Sequence, residues 1–139
     1  MPYNRPGQFH YTTNGTAGTI KHGNPVISNN VPGVAVKQKA VSWKKGLAEQ
    51  DLIQPGEDYG IIAKGIVEVD DVSGFAKGDA VYIVAASVTS GVTTYALTET
   101  GSGNTPYGRV VEVVGGGRGV PTGKVRIDLD KKDSVPVVA

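Results

Sequence analysis

The sequence predicts an all-β protein, and three observations carry that prediction. Val and Ile together number 29 of 139 residues, against four Leu. Branching at Cβ costs rotamer freedom in a helix and suits a pleated sheet, so the imbalance favours strands. Gly is used 20 times, about twice its ordinary share of ~7%. The glycines recur between Val-rich segments, as turn residues do in an all-β chain. Seven or eight short, unevenly spaced strands follow, which suggests a barrel or small sandwich with at most one short helix.

The elements read in order as follows. Residues 1–19 hold Pro2, Pro6, Gly7, Gly15 and Gly18 without an apolar period and read as an extended arm. The arm carries Tyr3, Phe9 and Tyr11, three of the eight Phe and Tyr residues. A solvated tail has nothing to bury aromatics against. The arm therefore either folds back as an edge strand of its own domain or docks on another subunit. From Ile20 the β pattern begins, with Lys21–Asn24 as a turn, Pro25–Ser28 as a strand, Asn29-Asn30 as a turn and Val31–Val36 as a second strand. Pro25 and Pro32 lack the N–H a ladder needs, which places them at strand starts or on an edge.

Residues 37–58 read as a surface excursion. Trp43–Ile53 has room for two helical turns at most, confined by Gly46 and Pro55. Tyr59–Asp70 reads as the longest strand region. Val67 and Val69 alternate with Ile66, Glu68 and Asp70, and Gly65 marks a bulge or close approach. Asp70–Asp79 is a polar turn region. Ala80–Ser87 is a buried strand, and Ser90-Gly91 joins it to Val92–Thr100 as a hairpin. Tyr107–Val114 and Lys124–Leu129 complete the set around the flexible Gly115–Gly123 turn, and residues 131–139 form a tail. The expected organisation is an arm at 1–19, a β domain at 20–130 and a tail at 131–139.

Composition narrows the chemistry. With no cysteine, disulfides, thiolate metal sites and cysteine nucleophiles are excluded. A formal charge of +1 offers no electrostatic footprint for nucleic acid or an anionic membrane. No apolar run approaches the roughly 20 residues of a membrane span, and the opening residues do not form a signal peptide. A soluble domain made in the cytoplasm is expected.

Motifs for catalysis are sparse. His10 and His22 stand in turn-rich sequence without H-x-x-x-H spacing, and read as surface residues. No Ser lies in a G-x-S-x-G elbow. Asp70 and Asp71, with Asp79 further on, are the best case for a cation or acid–base site. Neighbours on a strand point to opposite faces, however, and the spacing fails the calcium-loop pattern. Asp128 and Asp130 share a strand face without an identifiable partner. Gly115–Lys124 departs from a phosphate loop at Arg118, at Pro121 and at Val125. Lys44-Lys45 and Lys131-Lys132 are solvated charge. Asn14-Gly15-Thr16 is formally a glycosylation sequon, given no weight without a sign of secretion. No catalytic residue, metal or cofactor is expected.

Several segments, taken in order, do resemble a known family. They are Ile20–Val26 running into Pro32-Gly33-Val34-Ala35, then Tyr59-Gly60 and Lys64–Val69, then Phe75–Tyr82, Tyr107–Val110 and Lys124–Leu129. This order resembles the small capsid decoration, or cement, proteins of tailed bacteriophages over about residues 20–130. The resemblance implies a β-barrel-like or β-tulip domain that assembles as a homotrimer on the outside of the expanded capsid and bridges major capsid protein subunits. It implies an N-terminal arm that pins the protein to the shell, and on that basis Tyr3, Asn4, Arg5, Phe9 and Tyr11 are the expected contacts. It implies no enzyme, cofactor, nucleic acid, membrane or small-molecule substrate. The 37–58 stretch with Trp43 and the 133–139 tail depart from the family pattern. Another virion module, such as a tail or fibre β domain, and a small-molecule-binding β-barrel are the alternatives.

Overall fold

Short antiparallel strands linked by tight turns make up most of the chain, in line with the expected all-β class. The computed structural model describes residues 9–37, 52–71, 74–114 and 123–138. Strands take 56% of these residues and helix 6%, so the excess of β-branched side chains is spent on sheet. The chain divides into two compact units, Met1–Ala63 with Ala86–Tyr95, and Lys64–Ala85 with Ala96–Ala139.

The first unit is built on a four-stranded sheet ordered β1-β6-β4-β3, formed by β1 (Phe9–Thr13), β3 (Pro25–Ser28), β4 (Val31–Lys37) and β6 (Asp58–Ile62). The β3–β4 hairpin turns on Asn29 and Asn30, both at positive φ (52° and 64°), the two-residue geometry Asn tolerates best after Gly. Pro32 pairs with Ile27. β4 meets β6 only from Val34 onward, so the missing N–H of Pro32 falls before that ladder starts. Gly33 is needed for a different reason: a Cβ there would stand 2.1 Å from the carbonyl oxygen of Ile62.

Register assigns the faces. Tyr11 pairs with Gly60 and Thr12 with Tyr59, while Ala35 pairs with Ile61 and Val36 with Gly60. Tyr59, Ile61, Ala35 and Val26 line the buried face. Thr12 and Ser28 lie on that face at diagonally opposite corners of the sheet, three strands apart and six rows of pairing apart. In a flat sheet they would be separated by roughly 25 Å, from ~4.8 Å per strand and ~3.3 Å per residue. Their hydroxyls are 2.9 Å apart. The sheet is therefore strongly coiled about its buried face, the extreme of the twist that strands prefer.

Two small sheets complete this unit, β2 (Ile20–Lys21) with β5 (Leu52–Ile53), and the hairpin of β9 (Ser87–Thr89) and β10 (Val92–Thr94). Ile20 and Ile53 pair and are fully buried. The expected Ser90-Gly91 hairpin turn is present, with both residues at positive φ (51° and 76°). The helical turns considered for 43–53 lie mostly outside the described residues, and Leu52 and Ile53 are extended.

The second unit is a five-stranded sheet ordered β11-β8-β12-β13-β7. Its strands are β7 (Ile66–Asp71), β8 (Ala80–Ile83), β11 (Leu97–Thr98), β12 (Thr105–Val114) and β13 (Gly123–Asp128). β12 skips a residue of register at Tyr107 and again at Val111, two bulges that bend the longest strand. Tyr107, Val81, Val110, Val125 and Ile127 form the buried side. A short 3-10 helix, Leu129–Ser134, follows β13 and replaces the start of the expected tail. Arg109 ties its end down through Nε to Ser134 Oγ (2.8 Å) and Nη2 to Ser134 O (2.8 Å).

Several expectations need correction. Ala80–Ser87 is not one buried strand: β8 ends at Ile83 and Ser87 opens the exposed β9. Val92–Thr100 likewise divides into β10 and β11. Both breaks fall where the chain passes from one unit to the other, at 85–86 and 95–96. The region Tyr59–Asp70 is not one strand. It breaks after Ile62, where Gly65 takes φ 92° and closes a turn rather than a bulge; its carbonyl accepts the Leu129 N–H at 2.9 Å. Nor does any sheet among the described residues close into a barrel.

Candidate functional site

Of the expected contact residues, Phe9 and Tyr11 can be placed. Tyr3, Asn4 and Arg5 lie outside the described residues. β1 is an edge strand, bonded to β6 on one side, so the described part of the arm, Phe9–Thr13, follows the edge-strand alternative within this unit. Phe9 and Tyr11 point to the same sheet face, their rings nearly parallel (13°) with centroids 6.3 Å apart. Both rings lean over Gly60, whose missing side chain gives them a flat seat 3.6–3.7 Å from the position a Cβ would take. Tyr11 remains 66% exposed, which leaves an aromatic surface outward on a strand edge. His10 points to the opposite face, and its Nε2 is buried without a hydrogen-bond partner.

β1 ends in a polar hub that sequence reading passed over. Asn14 is 1% exposed. Its Nδ2 donates to Gly18 O (2.9 Å) and Ile53 O (3.1 Å), and its Oδ1 accepts from Thr16 N (3.0 Å) and Thr16 Oγ1 (2.6 Å). Thr16 Oγ1 also lies 2.7 Å from Oγ1 of Thr93, itself buried. With its proton given to Asn14, Thr16 accepts from Thr93. The Asn-x-Thr spacing was the available signal, since Asn bonds the backbone two residues on in an Asx turn. The same bonds occupy the amide nitrogen a glycan would need.

Beside the hub lies a cleft of about 540 Å³, lined by residues 11–16, Ser28, Asn29, Tyr59 and Tyr95. Its position follows from the coiled sheet, because the end of β1 and the β3–β4 turn form two of its walls. A smaller cavity of about 290 Å³ shares Tyr11, Thr12 and Thr13 and adds Asp58. Burial pushes the Tyr59 phenol up to about 12, with the neighbouring Tyr95 adding to it. Burial raises Tyr95 as well. Both therefore stay neutral hydroxyls near neutral pH. Sequence reading missed the pair because a Tyr within a strand looks like core.

The other sequence candidates resolve into structural roles. Asp70 pairs with Lys124 (2.9 Å), and Arg126 bridges Glu68 (3.4 Å) and Glu112 (2.8 Å) across the exposed face of β7, β13 and β12. Asp79 accepts the Ala76 N–H at 2.8 Å; its hydrogen bond with Glu99, followed by that N–H, holds its carboxyl below the usual range. Asp128 and Asp130 do not share a strand, and each has a partner: Asp128 caps the 3-10 helix through Asp130 N (3.0 Å), and Asp130 accepts from Gly65 N (3.2 Å). His22 Nδ1 accepts from Lys37 N (3.0 Å). Lys44, Lys45 and the Gly115–Thr122 loop lie outside the described residues. Among the described residues no group of three or more His, Asp or Glu could hold a metal ion, and no helix is long and apolar enough to cross a membrane.

No protein-family model, curated protein or solved structure matches the chain.

Proposed function

We propose that this chain is a structural virion protein that binds the outer surface of a mature tailed-phage capsid as a homotrimer and stabilises it by bridging major capsid protein subunits. The reading begins from the ordered sequence segments that resemble capsid decoration proteins. The structural observation that carries it is the Phe9–Tyr11 stack, seated on Gly60 with Tyr11 exposed and Phe9 half-buried, on an edge strand directly after the N-terminal segment. Exposed aromatics on a rigid element make good interface anchors, since they bury large area at little entropic cost. Among the described residues no strand lies beside the outer edge of β1, the arrangement that strand addition uses. A capsid repeats the same site many times, so one trimer gains by engaging several subunits at once. No catalytic step, cofactor or nucleic acid enters the reading.

The test is sedimentation of the purified protein with undecorated mature heads and with unexpanded precursor heads. The expected outcome is stoichiometric retention on mature heads, lost in the Phe9→Ala, Tyr11→Ala double variant while its circular dichroism stays unchanged. Retention on neither particle, or full retention of the double variant, would overturn the proposal.

A further inference from the structure

The cleft beside the Asn14 hub shares Tyr11 with the capsid reading, and the rest of its lining is specific. Tyr59 is 1% exposed and Tyr95 8%. Both line the cleft, and neither hydroxyl has a hydrogen-bond partner among the described residues. His10 Nε2 is the one fully buried side-chain polar atom left without a partner among those residues. The two phenol oxygens are therefore not sealed in: they are the parts of these rings that reach the cleft. Two hydroxyls without a protein partner that open on one cavity are free to bond water or a ligand placed there.

The rest of the lining fixes the ligand's chemistry. Thr12 and Ser28 bring a pair of hydroxyls that bond each other and keep acceptor capacity to spare. Asn29 brings an amide whose side chain has no partner among the described residues, and its backbone is held at φ 52° on the β3–β4 turn. No Lys, Arg or His lines the cleft, so an anion would be desolvated without compensation. Asp58 lines the smaller cavity rather than this cleft and accepts from Thr13 Oγ1. What remains is a neutral wall of hydroxyls that both donate and accept, with two tyrosine rings behind them. Its volume falls in the range of small-molecule sites, roughly 300–1,000 Å³.

We infer that this cleft is a binding site for a neutral saccharide, held by the Tyr59 and Tyr95 hydroxyls together with Ser28 and Asn29. A sugar offers the complementary set, alternating hydroxyls for the polar wall and a C–H face for the exposed ring of Tyr11 at its rim. The inference does not rest on the capsid reading, although Tyr11 belongs to both, and it is tested without heads.

The experiment follows backbone amide shifts of the ¹⁵N-labelled full chain during titration with the methyl glycosides of glucose, galactose and N-acetylglucosamine. Sodium glucuronate and glycerol serve as the charged and the non-cyclic counterparts. The expected result is saturable, millimolar binding of at least one neutral glycoside, with shifts concentrated at Thr12–Thr16, Ser28–Asn29 and Tyr95. Tyr59→Phe and Tyr95→Phe keep the rings and remove the hydroxyls, and each should weaken binding about tenfold, the cost of one lost hydrogen bond. Asn29→Gly, which suits the turn's positive φ, provides a third variant that leaves the core untouched. The inference is overturned if no neutral glycoside gives saturable shifts, or if glycerol or glucuronate binds equally well. Shifts that map elsewhere, or binding that survives all three substitutions, also overturn it.

Discussion

Truncating Asn14 should be among the most damaging single polar substitutions in the first unit. The side chain makes four hydrogen bonds, two through Nδ2 and two through Oδ1. In Asn14→Ala the Gly18 carbonyl still has Thr16 Oγ1 at 3.0 Å, and Thr16 Oγ1 keeps Thr93. What is lost is the donor to Ile53 O, a residue that keeps its strand pairing with Ile20, and the acceptor of Thr16 N–H. An orphaned buried polar group costs about 1–3 kcal/mol, and Thr16, being part-buried, recovers some of that from water. The expected loss is about 2 kcal/mol. Asn14→Asp tests the donor role separately, because it places a carboxylate where two carbonyls expect an N–H. That environment raises the folded-state pKa of the new carboxyl. The folded variant then binds more protons than the unfolded chain, so its stability falls as pH rises above the ordinary Asp value of about 3.9 and recovers towards acid. Urea unfolding followed by circular dichroism, repeated across pH, gives both numbers. A loss below about 1 kcal/mol for Asn14→Ala, or an Asn14→Asp deficit independent of pH, would refute the hub.

Gly33→Ala should prevent the β4–β6 approach, since the added carbon would collide with backbone at Ile62 rather than a side chain that can swing away. Loss of the native ¹H–¹⁵N spectrum of the first unit is the expected readout, and a native spectrum would refute the close approach. Alkaline titration should show Tyr59 ionising near 12, above the ordinary phenol value of about 10. Its folded-state pKa is raised, so its contribution is intact below the unfolded value and is lost as pH rises through about 12; ultraviolet difference spectra of the wild type against Tyr59→Phe isolate it. Arg126→Ala should cost under about 1 kcal/mol despite breaking two ion pairs, because all three partners are about half exposed and screened by solvent; thermal unfolding at low and high salt checks this.

Much of the fold was legible because strands and hairpins leave local marks. Pro25–Ser28 and Val31–Val36 stood out between turn residues, Asn29-Asn30 and Ser90-Gly91 sit where two-residue hairpins need positive φ, and Val67 and Val69 alternated with charge. The misreadings were of non-local things. Tyr59–Asp70 looked continuous because only the backbone angle of Gly65 divides it, and an angle is not written in residue type. Asp128 and Asp130 looked like one strand face because nothing local announces that β13 ends at Asp128 and a 3-10 turn begins. The meeting of Thr12 and Ser28 depends on how far a sheet coils, which is set by all four strands together. Asn14 and the pair Tyr59 and Tyr95 hid for a related reason: their partners lie up to 39 residues away in the chain, or open onto a cleft that exists only once the sheet has curled.

The buried amide of Asn14 also bears on how the protein is produced. Asn14-Gly15-Thr16 is an acceptor for oligosaccharyltransferase only while Nδ2 is accessible, and in the folded first unit that nitrogen is spent on Gly18 and Ile53. In a eukaryotic secretory host, modification and folding would compete for one atom. A chain modified first could not complete the hub, and a chain folded first would escape the enzyme. The glycosylated fraction, read by mass, would then time how quickly the end of β1 is captured, whereas a bacterial cytosol yields the hub without that contest.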